Sequence, residues 1–413
     1  MKAITLFAYF IPETAASLYL FENFIDDLQK VADKVYLLTP TPSRGLTEDV
    51  YPYYRKKENR IENKGNLTLH RFPLYREGQK TIPRFIRYFY SCFKYIWHAS
   101  KLKGYDVMFV ESTPPLLGVV GALLKKWKKI PFVYCLQDIF PDSLFITGLA
   151  NKDGLAWKIG RILENFTYKH ADKIIVISED FKQNIMAKGV PEEKIEVVYN
   201  WVDENAVVNV PRKENDLFDK YGISRNKFIL SYSGNIGLTQ NMDLLLEVMK
   251  ELQSEQPDIR LVLVGEGAYK KKVEEIIKRD SLTNVSLIPF QPYSDISKVF
   301  SLGDVGLVIS KSSVGSGCVP SKTWSIMSAS RPVLANFDEN ELKDIVLANE
   351  CGLFTKAGDK EAFKEAILTL YNKSELCKKM GHNGREFILA NLTREIGTSK
   401  YVKVLKSVAD ENE

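Results

Sequence analysis

The sequence predicts an α/β protein built from two doubly wound domains, each a parallel sheet with helices on both faces. Three observations carry this. Apolar, β-branched runs alternate with amphipathic stretches along the chain, and continuous apolar runs are the mark of strands buried on both faces. The alternation restarts after a polar stretch at residues 203–226, which contains Pro211 and many charges and has no strand character. The chain has 413 residues, more than one ordinary core organises.

In the first half, residues 2–10 are apolar but soon interrupted by Pro12 and Glu13, which suits a first buried strand and not a leader peptide. A helical pattern covers 15–32. Strands follow at 35–38, 106–111 and 130–137, with a helix at 116–127 between the last two. Residues 155–169 are helical, 173–178 (Lys-Ile-Ile-Val-Ile-Ser) read as a buried strand, and 196–199 end this half. In the second half, strands are expected at 228–233, 260–265, 285–288, 305–310 and 332–335. Helices are expected at 242–255, 269–279, 296–301, 321–329, 361–371, 374–390 and 393–409. Each half therefore reads as a Rossmann-like domain. The expected limits are 1–205 and 206–390, with 391–413 as a terminal helical segment.

Composition narrows the function. Hydrophobic residues make up 45% and charged residues 26%, which fits a globular enzyme and excludes a disordered or fibrous class. The net charge of +5 is mild, so its distribution matters more than its sum. Cys92, Cys135, Cys318, Cys351 and Cys377 form no C-x-x-C pair, which points to reduced thiols in a cytoplasmic protein. His70, His98, His170 and His382 have no metal-ligand spacing, so no metal site and no cofactor are expected. No run of about 18 apolar residues is present to span a membrane.

Three loops in the second half carry the chemistry. An apolar strand runs into Gly234-Asn235-Ile236-Gly237, with Gln240 ahead of the next helix. Glycine at a strand's carboxyl end lets backbone amides approach a phosphate, although a plain strand-to-helix turn has the same look. A second strand ends in Gly265-Glu266-Gly267. Glu266 suits either a ribose or sugar hydroxyl or a solvated position near a helix N-terminus. A third loop, 310–322, is rich in Gly and Ser, and Pro320 and Ser321 open a helix with Lys322 in its first turn. A cation there opposes the helix dipole unless an anion sits at the same end. Phe290 and Ser325 complete the residues expected around this ligand.

In the first half, Pro12 and Glu13 follow the first strand, Glu111 closes another, and Asp138 follows the strand at 130–137. A carboxylate at such a strand end orients or deprotonates a substrate hydroxyl, and Asp138 suits equally the capping of the next segment. Residues 80–103 carry Lys80, Arg84, Arg87, Lys94, Lys101 and Lys103 with no acidic residue, interleaved with Phe, Tyr and Trp. A basic, aromatic helix fits the headgroup region of an anionic membrane, or else packs its rings into the core and solvates its basic face. No nucleic-acid-binding module accompanies it, so nucleic acid is not an expected partner.

In order and spacing these residues resemble glycosyltransferase family 4, and within it the bacterial transferases that build O-antigen, capsular and colanic-acid-type polysaccharides. The markers are Pro12-Glu13, Gln137-Asp138-Ile-Phe-Pro141, the run from His170 to Ser178, Asn200-Trp-Val-Asp203, Gly234–Gly237, Gly265–Gly267, and Pro320-Ser-Lys322 through Arg331-Pro-Val333. The resemblance covers nearly the whole chain. It implies the GT-B fold: two Rossmann-like domains facing a central cleft, with the C-terminal helix crossing back onto the first. It also implies retaining transfer from a nucleotide sugar, usually UDP-linked, without an essential metal. The donor is then held by the second domain and a lipid-linked or oligosaccharide acceptor by the first, at the inner face of the plasma membrane. Catalytic roles fall to Asp138 and Lys322.

The sequence departs from the family pattern in two places. Gly317 and Ser325 stand where many members carry a pair of glutamates, and Gln240 and Asn241 where many carry an Arg or Lys in the first loop. Lys322 is therefore expected to carry more of the diphosphate charge. A sugar-nucleotide 2-epimerase and a non-catalytic nucleotide-sugar-binding subunit are the competing readings. The four histidines weigh against the former, and the missing glutamates keep the latter open.

Overall fold

The computed structural model describes residues 1–411 apart from 14–17, 47–49, 79–80, 144–150, 152–153, 315–316 and 318; at 81 and 82 it describes the backbone alone. The chain divides into two compact units, one of Met1–Tyr199 with Glu395–Glu413, the other of Asn200–Arg394.

The first unit holds β1 (Lys2–Leu6), β2 (Lys34–Pro40), β3 (Ile61–Lys64), β4 (Leu67–Phe72), β5 (Val107–Glu111), β6 (Phe132–Leu136), β7 (Lys173–Val176) and β8 (Ile195–Val197). They form one sheet in the order β3-β4-β2-β1-β5-β6-β7-β8, parallel except for the β3–β4 pair. The strand order reverses between β1 and β5, which pair in register from Ala3↔Val107 to Leu6↔Val110. Right-handed crossovers then place the helices. The helix Leu18–Val31 joins β1 to β2 on one face. The helices Thr81–Ser100, Leu116–Lys128 and Leu155–His170 lead the other way along the sheet and cover the opposite face, each against the next.

The face beneath Leu18–Val31 is closed by the last helix, Arg394–Asp410. Tyr401 is fully buried, its ring 5.4 Å from Phe24 and 5.6 Å from Phe109. Its hydroxyl lies 3.3 Å from Cys135 Sγ and accepts from Gln137 Nε2 at 3.3 Å. The aromatic layer continues through Phe7 and Phe21. The expected return of the terminal helix to the first domain is thus an aromatic packing contact joined by the Gln137–Tyr401 hydrogen bond.

The second unit holds β9 (Phe228–Ser233), β10 (Ile259–Val264), β11 (Val285–Ile288), β12 (Val305–Ile309), β13 (Val333–Phe337) and β14 (Gly352–Lys356). The order is β11-β10-β9-β12-β13-β14, all parallel, so the reversal falls between β9 and β12. Helices Met242–Glu255 and Lys360–Asn372 bury Leu245, Met249, Phe363 and Ile367 against one face. The short helices Leu217–Lys220 and Ile296–Phe300 cover the other.

Residues 203–226 are no free linker. The Val208 and Val210 amides donate to Ser297 Oγ and Ser301 Oγ, both at 2.9 Å, and Arg212 pairs with Asp304 at 2.6 Å. The strands absent from the sequence reading are β3, β4 and β14. β4 (Leu-Thr-Leu-His-Arg-Phe) alternates apolar with polar residues, and β14 opens on glycine, so neither has the unbroken apolar run of a central strand.

Tyr401→Ala is expected to destabilise the first unit by about 3–5 kcal/mol, because a buried ring is removed from a packed layer. Tyr401→Phe, which keeps the ring, should cost about 1 kcal/mol. Urea denaturation of the full chain followed by circular dichroism separates the two. Equal midpoints for Tyr401→Ala and the parent would show that the last helix is not held by this ring.

Candidate functional site

In a doubly wound sheet, ligands bind beyond the carboxyl ends of the strands where the order reverses. In the second unit that point is flanked by the loops after β9 and β12, and both are among the glycine-rich loops singled out above. The third, after β10, lies beside the first and is zipped to it. The Gly234 amide donates to Val264 O at 3.0 Å, Ile236 to Glu266 O at 2.8 Å, and Tyr269 to Ile236 O at 2.9 Å.

This zipper needs glycine. Gly265 and Gly267 have φ of 154° and 158°, in a region that favours glycine. A Cβ on Gly265 would lie 1.9 Å from Gly234 O, and one on Gly267 2.2 Å from Ile236 O. These are backbone contacts, which cannot swing aside as a flexible side chain can. The glycines bring two backbone turns together and leave the first loop open outward.

Lys322 enters from the third loop. It begins the helix Lys322–Ser328, where the Thr323 and Trp324 amides donate to Pro320 O and Ser321 O. Its Nζ lies 3.8 Å from the centre of the Tyr232 ring, and 3.1 Å from where a Cβ on Gly234 would stand. No ion pair or hydrogen bond joins it to any described residue. Burial without a counter-charge pushes its ammonium down to about 7, well below the ordinary lysine value. The fold therefore holds a cation against the first glycine loop and gives it a ring face in place of an acid. An anion at this end would supply the missing counter-charge.

The other expected donor residues divide. Phe290, on the loop after β11, is 70% exposed, and Asn235 and Ser321 are exposed beside the loops. Ser325 is half-buried one turn into the helix. Gln240 accepts from the Gly237 amide through its Oε1 at 3.0 Å, so it braces its own loop. The Glu266 carboxylate pairs with Lys270 at 2.7 Å in an i,i+4 helix-entry contact and faces solvent, while the residue's carbonyl serves the zipper. Sequence reasoning missed Lys311. Its amide donates to Thr239 O at 2.8 Å and its Nζ stands 5.6 Å from the Tyr269 ring, beside the first two loops. It supplies a cation near the loop whose own basic residue was missing, and the signal was its place directly after β12.

In the first unit, two acceptor expectations fail on burial. Glu13 is buried, with Oε1 accepting from the Ser43 and Arg44 amides at 2.7 and 3.1 Å and Oε2 from the Phe10 amide at 3.2 Å. It ties two loops together. Pro12 precedes it beyond a cis Ile11–Pro12 bond. Glu111, the last residue of β5, is buried, and burial raises its carboxyl to about 8 against one opposing hydrogen bond from the Ala8 amide. Its burial favours the neutral form and takes it out of reach of a substrate hydroxyl. Asp138 is exposed beyond β6 and accepts from the Ser143 hydroxyl and the Ile139 amide, so it caps the following turn while remaining open to solvent.

A polar cluster beyond β1 was not legible in sequence. Glu77 accepts from the Tyr9 hydroxyl at 2.7 Å, the Tyr88 hydroxyl at 3.0 Å and Arg44 at 2.9 Å, with Arg84 at 2.5 Å. Burial opposes its charge, but the hydrogen bonds from Tyr9 and Arg44 outweigh it and hold the carboxyl below its ordinary value. The helix Thr81–Ser100 contributes Arg84 and Tyr88 here and turns another side outward. Phe85, Phe89, Phe93 and Trp97, one turn apart, are exposed, whereas Tyr95 is buried with its hydroxyl on Phe7 O at 2.6 Å. Arg87 is buried too, donating to Tyr75 O and Ser43 Oγ, so it is not available to a headgroup. Lys80 lies outside the described residues. Among the described residues no helix is long and apolar enough to cross a membrane, and no cluster of His, Cys, Asp or Glu has the arrangement of a metal site.

Comparison with solved structures gives the class. The Anabaena protein Alr3699/HepE, solved with UDP, superposes with a TM-score of 0.72 at 17% identity, covering 98% of this chain and all of that one. Two doubly wound domains with the last helix returned to the first make this the GT-B architecture. The family model for Glycosyltransferase Family 4 matches residues 21–206, and that for Glycosyl transferases group 1 matches 213–387. The chain belongs to glycosyltransferase family 4 and is a glycosyltransferase. It is similar to the probable glycosyltransferase WbjE of Pseudomonas aeruginosa, at 24% identity over 76% of this chain and 77% of the relative. It is also similar to the putative colanic acid biosynthesis glycosyl transferase WcaI of Escherichia coli K12, at 27% identity over 50% of this chain and 51% of the relative.

Two outcomes follow from the loop geometry. Gly265→Ala should abolish nucleotide binding and lower the melting temperature, because its Cβ has no route past Gly234 O; calorimetry with UDP reads the first effect and thermal unfolding the second. Lys322→Met should stabilise the empty protein. The lysine titrates near 7 when folded and near about 10.4 when unfolded, so its burial penalty is full below the folded value and fades as pH rises towards the unfolded one. The gain in melting temperature should therefore be largest at pH 6 and shrink towards pH 10; a variant less stable than the parent at pH 6 contradicts it.

Proposed function

We propose that this chain moves a sugar from a UDP-linked donor, N-acetylated or deoxy, to a lipid-linked or growing surface glycan with retention at the anomeric carbon. The observation that carries the donor half is the Lys322 ammonium, held against Gly234 at the reversal point of the second sheet with no counter-charge among the described residues. In this reading the diphosphate lies over the first glycine loop, where the open backbone and Lys322 meet its charge, and Lys311 adds a second cation beside it. Asn235, Ser321 and Ser325 line the donor, and the exposed Phe290 ring is a platform for the base. A cation poised where the leaving diphosphate gathers charge stabilises the departing group. No protein-bound metal or cofactor enters this scheme.

Asp138 takes the acceptor side. It stands open at the carboxyl end of β6, where it orients the attacking hydroxyl. The Anabaena relative solved with UDP supports the nucleotide, and the relative named for colanic acid biosynthesis supports a polysaccharide acceptor. The outward aromatic stripe of Thr81–Ser100, with Lys94, Lys101 and Lys103 beside it, supports docking on the cytoplasmic face of the plasma membrane, where a lipid-linked acceptor is found. The epimerase reading has no comparable support. His70 and His98 pack on each other at 4.6 Å, His170 bonds Phe166 O, and none of these three belongs to the unit that carries the glycine loops.

The test is incubation with a panel of nucleotide sugars and a short lipid-linked acceptor, read by mass spectrometry. A lengthened glycan plus free nucleoside diphosphate is the expected outcome. Interconversion of donor epimers without acceptor would point to the epimerase, and binding with no product to a non-catalytic subunit. Lys322→Ala should weaken UDP binding and lower turnover by roughly 100-fold, the scale of losing one preorganised charge at a transition state. Binding should take up a proton, so UDP affinity should fall as pH rises above about 7 in the parent and change less in Lys322→Ala. Full turnover in that variant would sink the diphosphate assignment.

A further inference from the structure

The exposed aromatic stripe of Thr81–Ser100 does not end with that helix. The next two helices on the same face of the first sheet pack in sequence against it and turn large apolar side chains outward. Leu116–Lys128 exposes Leu123 and Trp127, the latter 65% accessible; Leu155–His170 exposes Leu155, Ile159 and Ile162, the first 77% and the last 67% accessible. Helices that cover a sheet ordinarily keep apolar residues for the sheet and polar ones for water. Here three consecutive helices break that rule on one side of one domain.

The charge on this face has one sign. The three helices contain a single acidic residue, Glu164. It is buried and held by Arg161 and Lys188. Cations lie beside rings of these helices: Lys101 stands 4.3 Å from the exposed Trp97 ring, Lys94 5.3 Å from the exposed Tyr90, and Lys126, on the middle helix, 5.8 Å from the half-buried Phe166 on the third. Outward aromatic and branched apolar groups, lysines among them and no exposed carboxylate on the three helices are the complement of an anionic lipid surface. A second copy of the chain fits poorly, because pairing this face with itself sets lysines against lysines.

We infer that the outer face of the helices Thr81–Ser100, Leu116–Lys128 and Leu155–His170 together forms one docking surface for an anionic lipid bilayer. This rests on the membrane reading given for residues 80–103 and extends it to a patch that Trp127 and Ile162 share. A three-helix footprint fixes how the first unit lies on the bilayer, because three non-collinear anchors remove the rocking that one helix permits. The same helix that carries the aromatic stripe contributes Arg84 and Tyr88 to the Glu77 cluster beyond β1, so the footprint and the acceptor end of this unit are one rigid piece.

The test is sedimentation of the full-length protein with vesicles of phosphatidylcholine containing about 30 mol % phosphatidylglycerol, against vesicles of phosphatidylcholine alone, at low and high salt. Two variants are compared with the parent: Trp127→Glu with Ile162→Glu, and Phe89→Glu with Trp97→Glu. All four positions are exposed, and unchanged melting temperature and UDP affinity confirm intact folding. The parent should prefer the anionic vesicles in a salt-sensitive way, and each double variant should lose about ten-fold or more in partitioning. If Trp127→Glu/Ile162→Glu binds like the parent while the other variant does not, the single-helix reading stands and the three-helix surface is overturned. If the parent binds neither vesicle, both fall. Equal binding to neutral vesicles overturns the anionic assignment, and a parent dimer dissolved by Trp127→Glu/Ile162→Glu would make the face a self-association surface instead.

Discussion

The binding end of the second unit depends on two glycine turns in backbone contact. Gly234 and Ile236 offer their carbonyls at positions where Gly265 and Gly267 have no side chain to obstruct them, and three main-chain hydrogen bonds close the seam. The seam sets the height of the first loop above the sheet. It also leaves room beside Gly234 for Lys322 to reach in from the third loop and lie on Tyr232. A side chain at Gly265 or Gly267 would separate the turns, and one at Gly234 would take the lysine's place. The loops are thus one piece of geometry with three sequence origins.

Lys322 is the cost of that geometry. An ammonium buried on an aromatic face without a carboxylate is poorly solvated, and cation–π attraction offsets only part of the loss. Such a group is stable enough to be kept and unstable enough to favour any anion that arrives. The first unit handles charge in the opposite way. Glu77 is surrounded by Tyr9, Tyr88, Arg44 and Arg84, and Glu13 is spent on three backbone amides, so these buried acids are satisfied from within the protein. The contrast separates a cation with no counter-charge among the described residues from loops that are already internally closed.

Legibility followed apolar content. The strands at 228–233 and 285–288 and the helix at 242–255 have the limits read from sequence, because their β-branched or amphipathic patterns are unbroken. β3, β4 and β14 escaped because short or half-polar strands lack that pattern. The glycine loops were legible since glycine after a buried strand has a narrow set of uses. Glu13, Glu111 and Gln240 were legible as polar residues at strand ends, but not in their use. Whether such a side chain points to a ligand or back to a loop amide depends on loops such as 41–44, which lie far away in the sequence.

What the sequence determined by itself is the alternation of strands and helices, the two-domain division and the three glycine loops, all of which follow from local periodicity and from residues with few conformational roles. Tertiary structure alone decided which of the polar groups are free. It spent Glu13 on amides of a distant loop, buried Glu111, set Lys311 beside a loop that lacks its own cation, and left Lys322 with no counter-charge among the described residues. It also aligned three separate helices so that their outward apolar residues form one surface. The physical reason is the same in each case: burial and pairing are properties of groups brought together from distant parts of the chain, and no local pattern records which neighbours will be there.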